Sequence, residues 1–490
     1  MRTTTSPQLL ALLPVERGSG SPLHQQIYEG LRRAILERRL RAGQRVPATR
    51  VLACELGVSR LPVLTAYEQL LHEGYLEGRV GSGTFVATTL PDDALRAPAA
   101  SARSRRAPAP SVTALAPRVR DAGRLRPFRV SLPALDQFPH AMWARLVAKH
   151  ARALTPAHMS YGDPAGVGVL RAAIAEHLRA SRAVRCEAEQ LLIVSGSQAA
   201  LRLCATVLLA PGDRVAIEEP GYPGARSALG TTGATLVPVP VDVGGIDVTA
   251  LEKLSAGAAR MRAAYVTPSH QYPLGMSMSA PRRLALLEWA RHRNAWIIED
   301  DYDSEYRYVS RPLGALQGME EHGRVIYVGT FSKVLFPALR VGYLIVPPAL
   351  WEQFVAAREA LDLFSPTLYQ LVLADFIREG HFVRHLRRMR GVYLRRRDAL
   401  LDGLSRHCAD ELELLNADAG LHVATTLRAG ADDEDVVRRA ALEKLSPAAL
   451  SACYLGGERR SGLLLGFGGF NERRITRATR TLGEILRAQR

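Results

Sequence analysis

From about residue 127 onward, the 490-residue chain alternates short apolar runs with stretches of helical periodicity. The runs lie at residues 191–194, 214–217, 263–266, 296–298, 325–328 and 342–346. Helical stretches such as 169–183 and 281–293 separate several of them. Uninterrupted apolar runs are typical of strands buried on both faces, and the intervening helices supply the cover. The pattern predicts an α/β domain over residues 127–490, with a mainly parallel sheet and helices on both sides.

A second, smaller pattern occupies residues 20–88 and predicts a small α+β domain. Its first helix has an apolar stripe at Leu23, Ile27, Leu31, Ala34 and Ile35. A second helix is expected over roughly 49–56, and a third after Ser59, which is a good N-cap residue. Two short strands around a glycine-rich turn are expected over 75–86. Three helices followed by a two-stranded wing are typical of a winged helix-turn-helix.

Charge is concentrated at the N-terminal end of the chain. The formal net charge is +16, and residues 1–126 hold 19 Arg, no Lys and 10 acidic residues, an excess of nine. This favours a polyanionic partner, although an Arg-rich composition with solvated faces explains the charge as well. Residues 89–126 are dominated by Ala, Pro, Ser and Arg, which build no core, so we expect a flexible linker there.

Composition also argues against several classes of protein. The five cysteines lie far apart without a CxxC pair, so we expect neither a disulfide framework nor a metal site, and a reducing cytoplasm fits. The first residues show no signal-peptide pattern. No run of about eighteen apolar residues occurs, so no contact with a membrane is expected.

The small domain is expected to place its third helix in the major groove of double-stranded DNA. Arg60 suits a guanine or a phosphate, and Thr65 suits a base or a backbone oxygen. The candidate DNA contacts are Arg50, Ser59, Arg60, Leu61, Thr65, Arg79, Gly81 and Ser82. Each arginine taken singly is more simply a solvated surface charge. The order of helix, turn, helix and wing therefore carries the prediction.

The large domain contains two polar motifs next to predicted strands, Ile-Ile-Glu-Asp300-Asp-Tyr302 and Gly-Thr-Phe-Ser-Lys333. Pyridoxal phosphate (PLP) requires a lysine amine, a carboxylate, a hydroxyl partner, a stacking aromatic ring and a phosphate cradle at a helix start. The candidates are Lys333, Asp300, Tyr302, Tyr222, Ser195, Gly196, Ser197, Thr330, Ser332 and Arg340. Asp-Asp-Tyr-Asp is also compatible with a metal site, and Ser-Gly-Ser with a plain helix cap. The combined set favours PLP.

Both parts resemble known families. Gly57-Val-Ser-Arg, Glu73-Gly-Tyr-Leu and Gly81-Ser-Gly-Thr-Phe-Val are similar to the winged helix of GntR-family transcription regulators. The large domain resembles fold-type-I aminotransferases, and nearly the whole chain resembles MocR-type regulators. The resemblance implies that Lys333 holds PLP as a Schiff base, that Asp300 contacts the ring nitrogen and that Tyr302 contacts the ring hydroxyl. It also implies a head-to-tail homodimer.

Two positions depart from the aminotransferase pattern. Tyr272 precedes Pro-Leu-Gly275, where aminotransferases usually carry Asn. Leu464 stands where many carry an Arg for the substrate carboxylate, with Arg459 and Arg460 just upstream. These departures put ordinary turnover of α-amino acids in doubt.

The sequence therefore predicts a PLP-dependent, DNA-binding transcription regulator that senses an amine. An effector would displace Lys333 from PLP, and the linker would pass the change to the DNA-binding domain. The effector candidates are ω-amino acids such as GABA or taurine, α-amino acids, and PLP itself. An active aminotransferase with an appended DNA-binding domain is the alternative. A repressor whose large domain binds no PLP is a third interpretation.

Overall fold

The computed structural model describes residues 13, 15–16, 18, 20–79, 81–90, 125–256, 260–308, 314–428 and 431–488. The chain divides into two compact units, Met1–Ala114 and Leu115–Arg490. Most of the predicted linker, residues 91–124, lies outside the described residues. In the described part of the chain, no helix is both long and apolar enough to cross a membrane.

The first unit is a winged helix-turn-helix. Its elements are α1 (Leu23–Leu36), α2 (Thr49–Glu55), α3 (Arg60–His72), β1 (Leu76–Arg79) and β2 (Gly83–Val86). The two strands pair antiparallel as the wing. The helices close over a core that contains Ile27, Leu31, Leu52, Val63 and Leu70. The sequence prediction of three helices and a wing is therefore confirmed.

Two details of the turn between α2 and α3 refine that prediction. Gly57 has φ +63°, a left-handed conformation that glycine adopts without steric cost. Ser59 occupies the N-cap of α3 with extended backbone angles, but its side chain makes no capping hydrogen bond. The prediction that Ser59 is the N-cap residue of the third helix is therefore confirmed, and the residue is exposed to solvent.

The second unit is built on an eight-stranded sheet. Its strands are β3 (Leu191–Val194), β4 (Arg214–Glu219), β5 (Thr235–Asp242), β6 (Gly245–Ile246), β7 (Met261–Val266), β8 (Trp296–Asp301), β9 (Val325–Thr330) and β10 (Gly342–Ile345). The spatial order is β3-β10-β9-β8-β7-β4-β5-β6. The five strands from β9 to β5 run parallel. Strand β10 is antiparallel to both of its neighbours. The sheet is thus mainly parallel, as predicted, with antiparallel edges.

Helices cover both faces of this sheet. They are α4 (His140–Arg152), α5 (Pro156–Met159), α6 (Gly168–Arg182), α7 (Ser197–Leu208), α8 (Pro223–Leu229), α9 (Val248–Leu254), α10 (Ala280–Arg293), α11 (Trp351–Asp362), α12 (Thr367–Arg378) and α13 (His381–His407). Strand β3 shows the two-sided burial directly. Leu191 and Ile193 join one hydrophobic cluster, whereas Leu192 and Val194 join another. Successive side chains of a strand point to opposite faces, so a continuous apolar run serves both.

The C-terminal part adds a smaller antiparallel sheet. Its strands are β11 (Leu412–Asn416), β12 (His422–Leu427), β13 (Ala448–Ala449) and β14 (Gly462–Gly466), in the order β11-β12-β14-β13. Two helices, α14 (Asp433–Leu442) and α15 (Glu472–Arg487), accompany it. In α/β sheets, ligand sites form at the carboxyl ends of the strands. Strands β8 and β9 end there with the predicted residues Asp300 and Thr330.

Candidate cofactor site and DNA-contact surface

Asp300 lies near the carboxyl end of β8 and is buried. Its Oδ2 accepts a 2.8 Å hydrogen bond from the Tyr265 hydroxyl on the neighbouring strand β7. Its Oδ1 is buried and has no hydrogen-bond partner among the described residues. Burial raises the pKa of Asp300 to about 7, and the Tyr265 hydrogen bond and the Lys333 charge oppose that rise. A buried acceptor without a partner is suited to a donor from outside the chain, such as a protonated ring nitrogen.

A turn suited to phosphate links β3 to α7. Gly196 has φ +91°, and a Cβ atom there would lie 3.2 Å from Nη1 of Arg340. Glycine therefore lets the Arg340 guanidinium approach the start of α7, where it also donates to the Ser195 carbonyl. Ser197 is the first residue of this 12-residue helix. The helix start, the two serines and the guanidinium are the kinds of group that suit an anion.

Lys333 lies in the loop after β9, two residues beyond Phe331 and close to the other candidates. Its Nζ donates a 3.3 Å hydrogen bond to the carbonyl of Ser131. Thr330 and Ser332 are joined to each other, since the Ser332 amide donates to Thr330 Oγ1 at 3.2 Å. The charge of Lys333 contributes to the pKa of Asp300, so the amine and the carboxylate share one electrostatic environment.

Three tyrosines and two histidines form a continuous aromatic cluster beside these groups. Tyr222 meets Tyr272 with ring centroids 5.3 Å apart, and Tyr272 meets Tyr302 at 6.0 Å. His422 contacts Tyr272 at 5.5 Å, and His270 contacts Tyr302 at 5.8 Å. The structure thus connects Tyr222 and Tyr302, the predicted stacking and hydroxyl partners, through Tyr272, a residue that was noted only as a departure.

Sequence reasoning missed three residues that support the site: Tyr265, His270 and Asp303. Tyr265 follows two alanines in β7. A polar hydroxyl near the end of an otherwise apolar strand was the only sequence signal for its role. His270 lies 3.0 Å from the Tyr302 hydroxyl and 2.9 Å from Asp303 Oδ1, both measured from Nδ1. These contacts join residues about thirty positions apart, so no local spacing indicates them.

The place of Leu464 is apolar. Leu464 is fully buried on β14 and belongs to a cluster with Leu274, Ala424, Leu450 and Cys453. It pairs with Ala424 on the neighbouring strand. A carboxylate has no partner in such surroundings, because burying an unpaired charge is costly.

The DNA contacts predicted on α2 and α3 are exposed. Arg50, Ser59, Arg60, Leu61 and Thr65 all face solvent, with Leu61 69% exposed. Arg60 Nε donates to Thr49 Oγ1 at 3.2 Å, which ties α3 to the start of α2. The Thr65 hydroxyl donates to the Leu61 carbonyl at 3.1 Å.

The wing carries the remaining predicted contacts. Arg79 pairs with Glu77 at 2.6 Å and lies over the Phe85 ring at 4.5 Å. Gly81 and Ser82 are exposed at the turn, and Gly81 has φ +73°. The wing arginine is therefore held in place by an acidic neighbour and an aromatic ring.

Comparisons with known proteins agree with both units. Residues 23–86 match the family described as bacterial regulatory proteins, gntR family, and residues 134–445 match aminotransferase class I and II. The chain is 42% identical to the probable rhizopine catabolism regulatory protein MocR of Rhizobium meliloti, over 96% of this chain and 95% of that protein. It is 35% identical to the pyridoxine biosynthesis transcriptional regulator PdxR of Corynebacterium glutamicum, over 95% and 96% respectively.

A solved structure shows the same architecture in the second unit. The α-aminoadipate aminotransferase LysN of Thermus thermophilus superposes with a TM-score of 0.68 at 31% identity, covering 74% of this chain and 92% of that chain. The fold and the two sites thus define a transcription regulator with an aminotransferase-like domain. The chain belongs to the MocR-type branch of the GntR family, which confirms the resemblance seen in the sequence.

Membership in this fold implies PLP as the cofactor. The chemistry of the residues present fits it: Asp300 has an unpartnered buried oxygen, a glycine-containing turn precedes α7, and the charge of the Lys333 amine acts on Asp300. The predicted cofactor is therefore supported by the fold and by the chemistry of the side chains.

Proposed function

We propose that this regulator binds PLP at Lys333 and senses a primary amine there, and that the amine changes its affinity for operator DNA. One observation carries the proposal. Side chains that suit each part of PLP are present, including the unpartnered oxygen of Asp300. Leu464, in contrast, stands where many aminotransferases carry an arginine for the substrate carboxylate, and it lies among apolar side chains. Such a site can react with amines but lacks the carboxylate binding that turnover of α-amino acids requires.

Each site residue has a role in this proposal. PLP supplies an aldehyde that reacts reversibly with amines and a ring that withdraws electrons. Lys333 provides the resident amine, Asp300 accepts from the ring nitrogen, Tyr302 bonds the ring hydroxyl and Tyr222 stacks on the ring. The phosphate would be held by Ser195, Gly196, Ser197, Thr330, Ser332 and Arg340.

The DNA-binding unit acts through its third helix and its wing. Arg60, Leu61 and Thr65 would face the bases, and Arg50, Ser59, Arg79, Gly81 and Ser82 would face the phosphates. We further propose a head-to-tail homodimer that acts on chromosomal DNA in the cytoplasm. The effector must bind the two conformational states of the protein with different affinities, because otherwise no equilibrium moves.

Visible absorption of the purified protein tests the proposal. Wild-type protein with PLP is expected to be yellow because of a visible absorption band, and Lys333→Ala should lack this band. Operator binding is then titrated with GABA, taurine and α-amino acids, and one of them is expected to change the dissociation constant in wild type but not in Lys333→Ala. A wild-type protein that stays colourless with added PLP contradicts the cofactor role.

Retention of the complete cofactor set also favours the second candidate, an active aminotransferase. The discriminating measurement is turnover. Repeated cycles of amino transfer from the effector to a keto acid would establish an enzyme, whereas a single stoichiometric half-reaction agrees with a sensor.

A further inference from the structure

The hydroxyl of Tyr302 is backed by a buried pair of ionisable side chains. His270 Nδ1 lies 2.9 Å from Asp303 Oδ1 and 3.0 Å from the Tyr302 hydroxyl oxygen. The side chains of His270 and Asp303 are only 3% and 2% exposed. One ring nitrogen therefore faces both a carboxylate and a phenol, and the position of its hydrogen decides what the phenol can do.

The carboxylate determines that position. An ionised carboxylate only accepts hydrogen bonds, so a nitrogen 2.9 Å from Asp303 Oδ1 must carry a hydrogen. Nδ1 then has no lone pair with which to accept the Tyr302 hydrogen. Burial, followed by the charge of Asp303, raises the pKa of Tyr302 well above its ordinary value, so the phenol keeps its hydrogen. That hydrogen is directed away from His270.

The surrounding chain leaves space for this pair. Gly420 has φ +76°, and a Cβ atom there would lie 2.1 Å from Cε1 of His270 and 2.7 Å from Oδ2 of Asp303. The neighbouring His422 donates from Nε2 to the Pro273 carbonyl at 3.1 Å. Burial, and then the charge of His270, lower the pKa of His422 to about 4, so His422 stays neutral beside the pair.

We propose that His270 and Asp303 are positioning residues that keep Tyr302 a hydrogen-bond donor toward the ring oxygen of the cofactor. This inference rests on the role proposed above for Tyr302. It assigns a function to a buried pair that contacts the Tyr302 hydroxyl through His270, and it explains why a carboxylate is buried one residue after the tyrosine.

Other ionisable groups face the pair and belong to its electrostatic setting: Tyr272, His422, Lys333, Asp300 and Glu305. The charge of Asp303 also acts on the pKa of Asp300, Glu305 and His422, so a variant of Asp303 shifts these groups as well. Combining that variant with Tyr302→Phe separates those shifts from the effect that passes through Tyr302.

The test uses full-length protein with PLP and follows its visible band against pH in wild type, Asp303→Asn, Tyr302→Phe and the double variant. A donated hydrogen bond stabilises negative charge on the ring oxygen, so losing it favours the protonated chromophore. The neutral amide of Asp303→Asn no longer requires a hydrogen on Nδ1, and an unprotonated Nδ1 accepts the Tyr302 hydrogen. In Asp303→Asn we expect the pH midpoint of the visible band to rise by roughly one pH unit, which corresponds to the loss of one hydrogen bond to a charged acceptor. Asp303→Glu should restore the wild-type midpoint.

The double variant separates positioning from general damage. If Asp303 acts through Tyr302, adding Asp303→Asn to Tyr302→Phe leaves the midpoint where Tyr302→Phe put it. An unchanged midpoint in Asp303→Asn, with a raised midpoint in Tyr302→Phe, overturns the proposal but leaves the proposed cofactor site intact. If Tyr302→Phe itself has no effect, the role of Tyr302 fails, and this inference fails with it.

A direct measurement on wild-type protein covers the case in which a variant does not fold. Nitrogen NMR of histidine-labelled protein reports which ring nitrogens carry hydrogen, and the His270 signals are those lost in His270→Phe. We expect a protonated Nδ1. An unprotonated Nδ1 at His270 would overturn the proposal without reference to any activity.

Discussion

Asp300 and its neighbour Asp301 occupy opposite sides of one strand, and their partners and pKa shifts differ. Asp301 is bound by the guanidinium of Arg182 through Nε at 3.0 Å and Nη2 at 2.7 Å, and by the Tyr327 hydroxyl at 2.6 Å. Burial acts to raise the pKa of Asp301, but the charge of Arg182 and the hydrogen bonds to this carboxylate together outweigh burial, and the pKa falls. Asp300 has no such cation bonded to it and keeps a raised pKa. One carboxylate therefore anchors the sheet, and the other is left for a ligand.

The raised pKa of Asp300 makes the stability of the cofactor-free protein depend on pH. Its folded value of about 7 lies above the ordinary 3.8, so the folded state holds the proton more tightly. The free energy of unfolding therefore falls as pH rises from about 4 to about 7, by at most about 4 kcal/mol. Asp300→Asn removes this contribution. In thermal unfolding, the melting temperature of wild type should fall relative to Asp300→Asn across that window, whereas a pH-independent difference would contradict the assignment.

Gly420 offers a second prediction for a single residue. In Gly420→Ala the new methyl group would lie 2.1 Å from His270, in a backbone with φ +76°. Gly457→Ala is the matched control, because φ is +66° and nothing lies within 4 Å. We expect about 1–2 kcal/mol of destabilisation for the control, from the backbone alone. For Gly420→Ala, crowding by His270 should increase the loss in the free energy of unfolding to about 2–5 kcal/mol, measured by urea unfolding. Equal losses would show that the neighbours of Gly420 move aside freely.

Among the elements, α3 has one buried and one exposed side. Val63, Ala66, Tyr67 and Leu70 are buried in the core of the first unit, so the opposite side is available to DNA. Leu61, in the first turn, is 69% exposed. An aliphatic side chain at a base edge contacts the 5-methyl group of thymine, which no other DNA base carries.

Leu61 should therefore read a thymine. The preferred DNA sequence is first selected from random duplexes, and each thymine in it is then replaced by uracil, which lacks only the methyl group. At one position, we expect the replacement to weaken DNA binding by the wild type about fourfold, which is the effect of removing one buried methyl group. Leu61→Ala should be insensitive to that replacement. Leu71→Ala, an exposed residue in the last turn of the same helix, is the control and should behave as wild type. Uracil sensitivity that persists in Leu61→Ala would contradict the assignment.

The elements could be predicted from the sequence because their signals are local. Apolar runs located β3, β4, β7, β8, β9 and β10, and the helix-turn-helix order located α1, α2 and α3. The antiparallel direction of β10 was not predictable, since an apolar run has no direction. The N-cap position of Ser59 was predictable from residue type, whereas the rotamer and the tertiary surroundings decide whether its side chain forms a capping hydrogen bond.

The site was predictable only where motifs carry it. Lys333, Asp300 and Tyr302 stand in recognisable motifs, and in the structure the charge of Lys333 acts on Asp300 and that of Asp300 on Tyr302. Tyr265 and His270 act through contacts to residues 35 and 32 positions away, which only the register of parallel strands defines. Side chains that support a site from adjacent strand ends are set by topology, and topology is not a local property.

At the scale of the whole molecule, the two sites lie in separate compact units of one chain. An amine at the second unit and DNA at the first can influence each other only through an equilibrium that both bias. The proposed regulator therefore makes a thermodynamic claim that is independent of the path between the units. If the amine changes operator affinity by some factor, operator DNA must change amine affinity by the same factor.

This reciprocity gives the last prediction. The effector affinity is measured from the visible band with and without saturating operator duplex, and the operator affinity from fluorescence anisotropy with and without saturating effector. The two ratios should agree, in a range of about 5- to 150-fold typical of allosteric coupling. A scrambled duplex of equal length is the control and should give a ratio near one. In Lys333→Ala, which lacks the visible band, only the operator affinity is measured, and the amine should leave it unchanged because there is no resident lysine to displace. Operator affinity that changes with the amine while amine affinity ignores the operator would show that the amine acts at a site other than the PLP site.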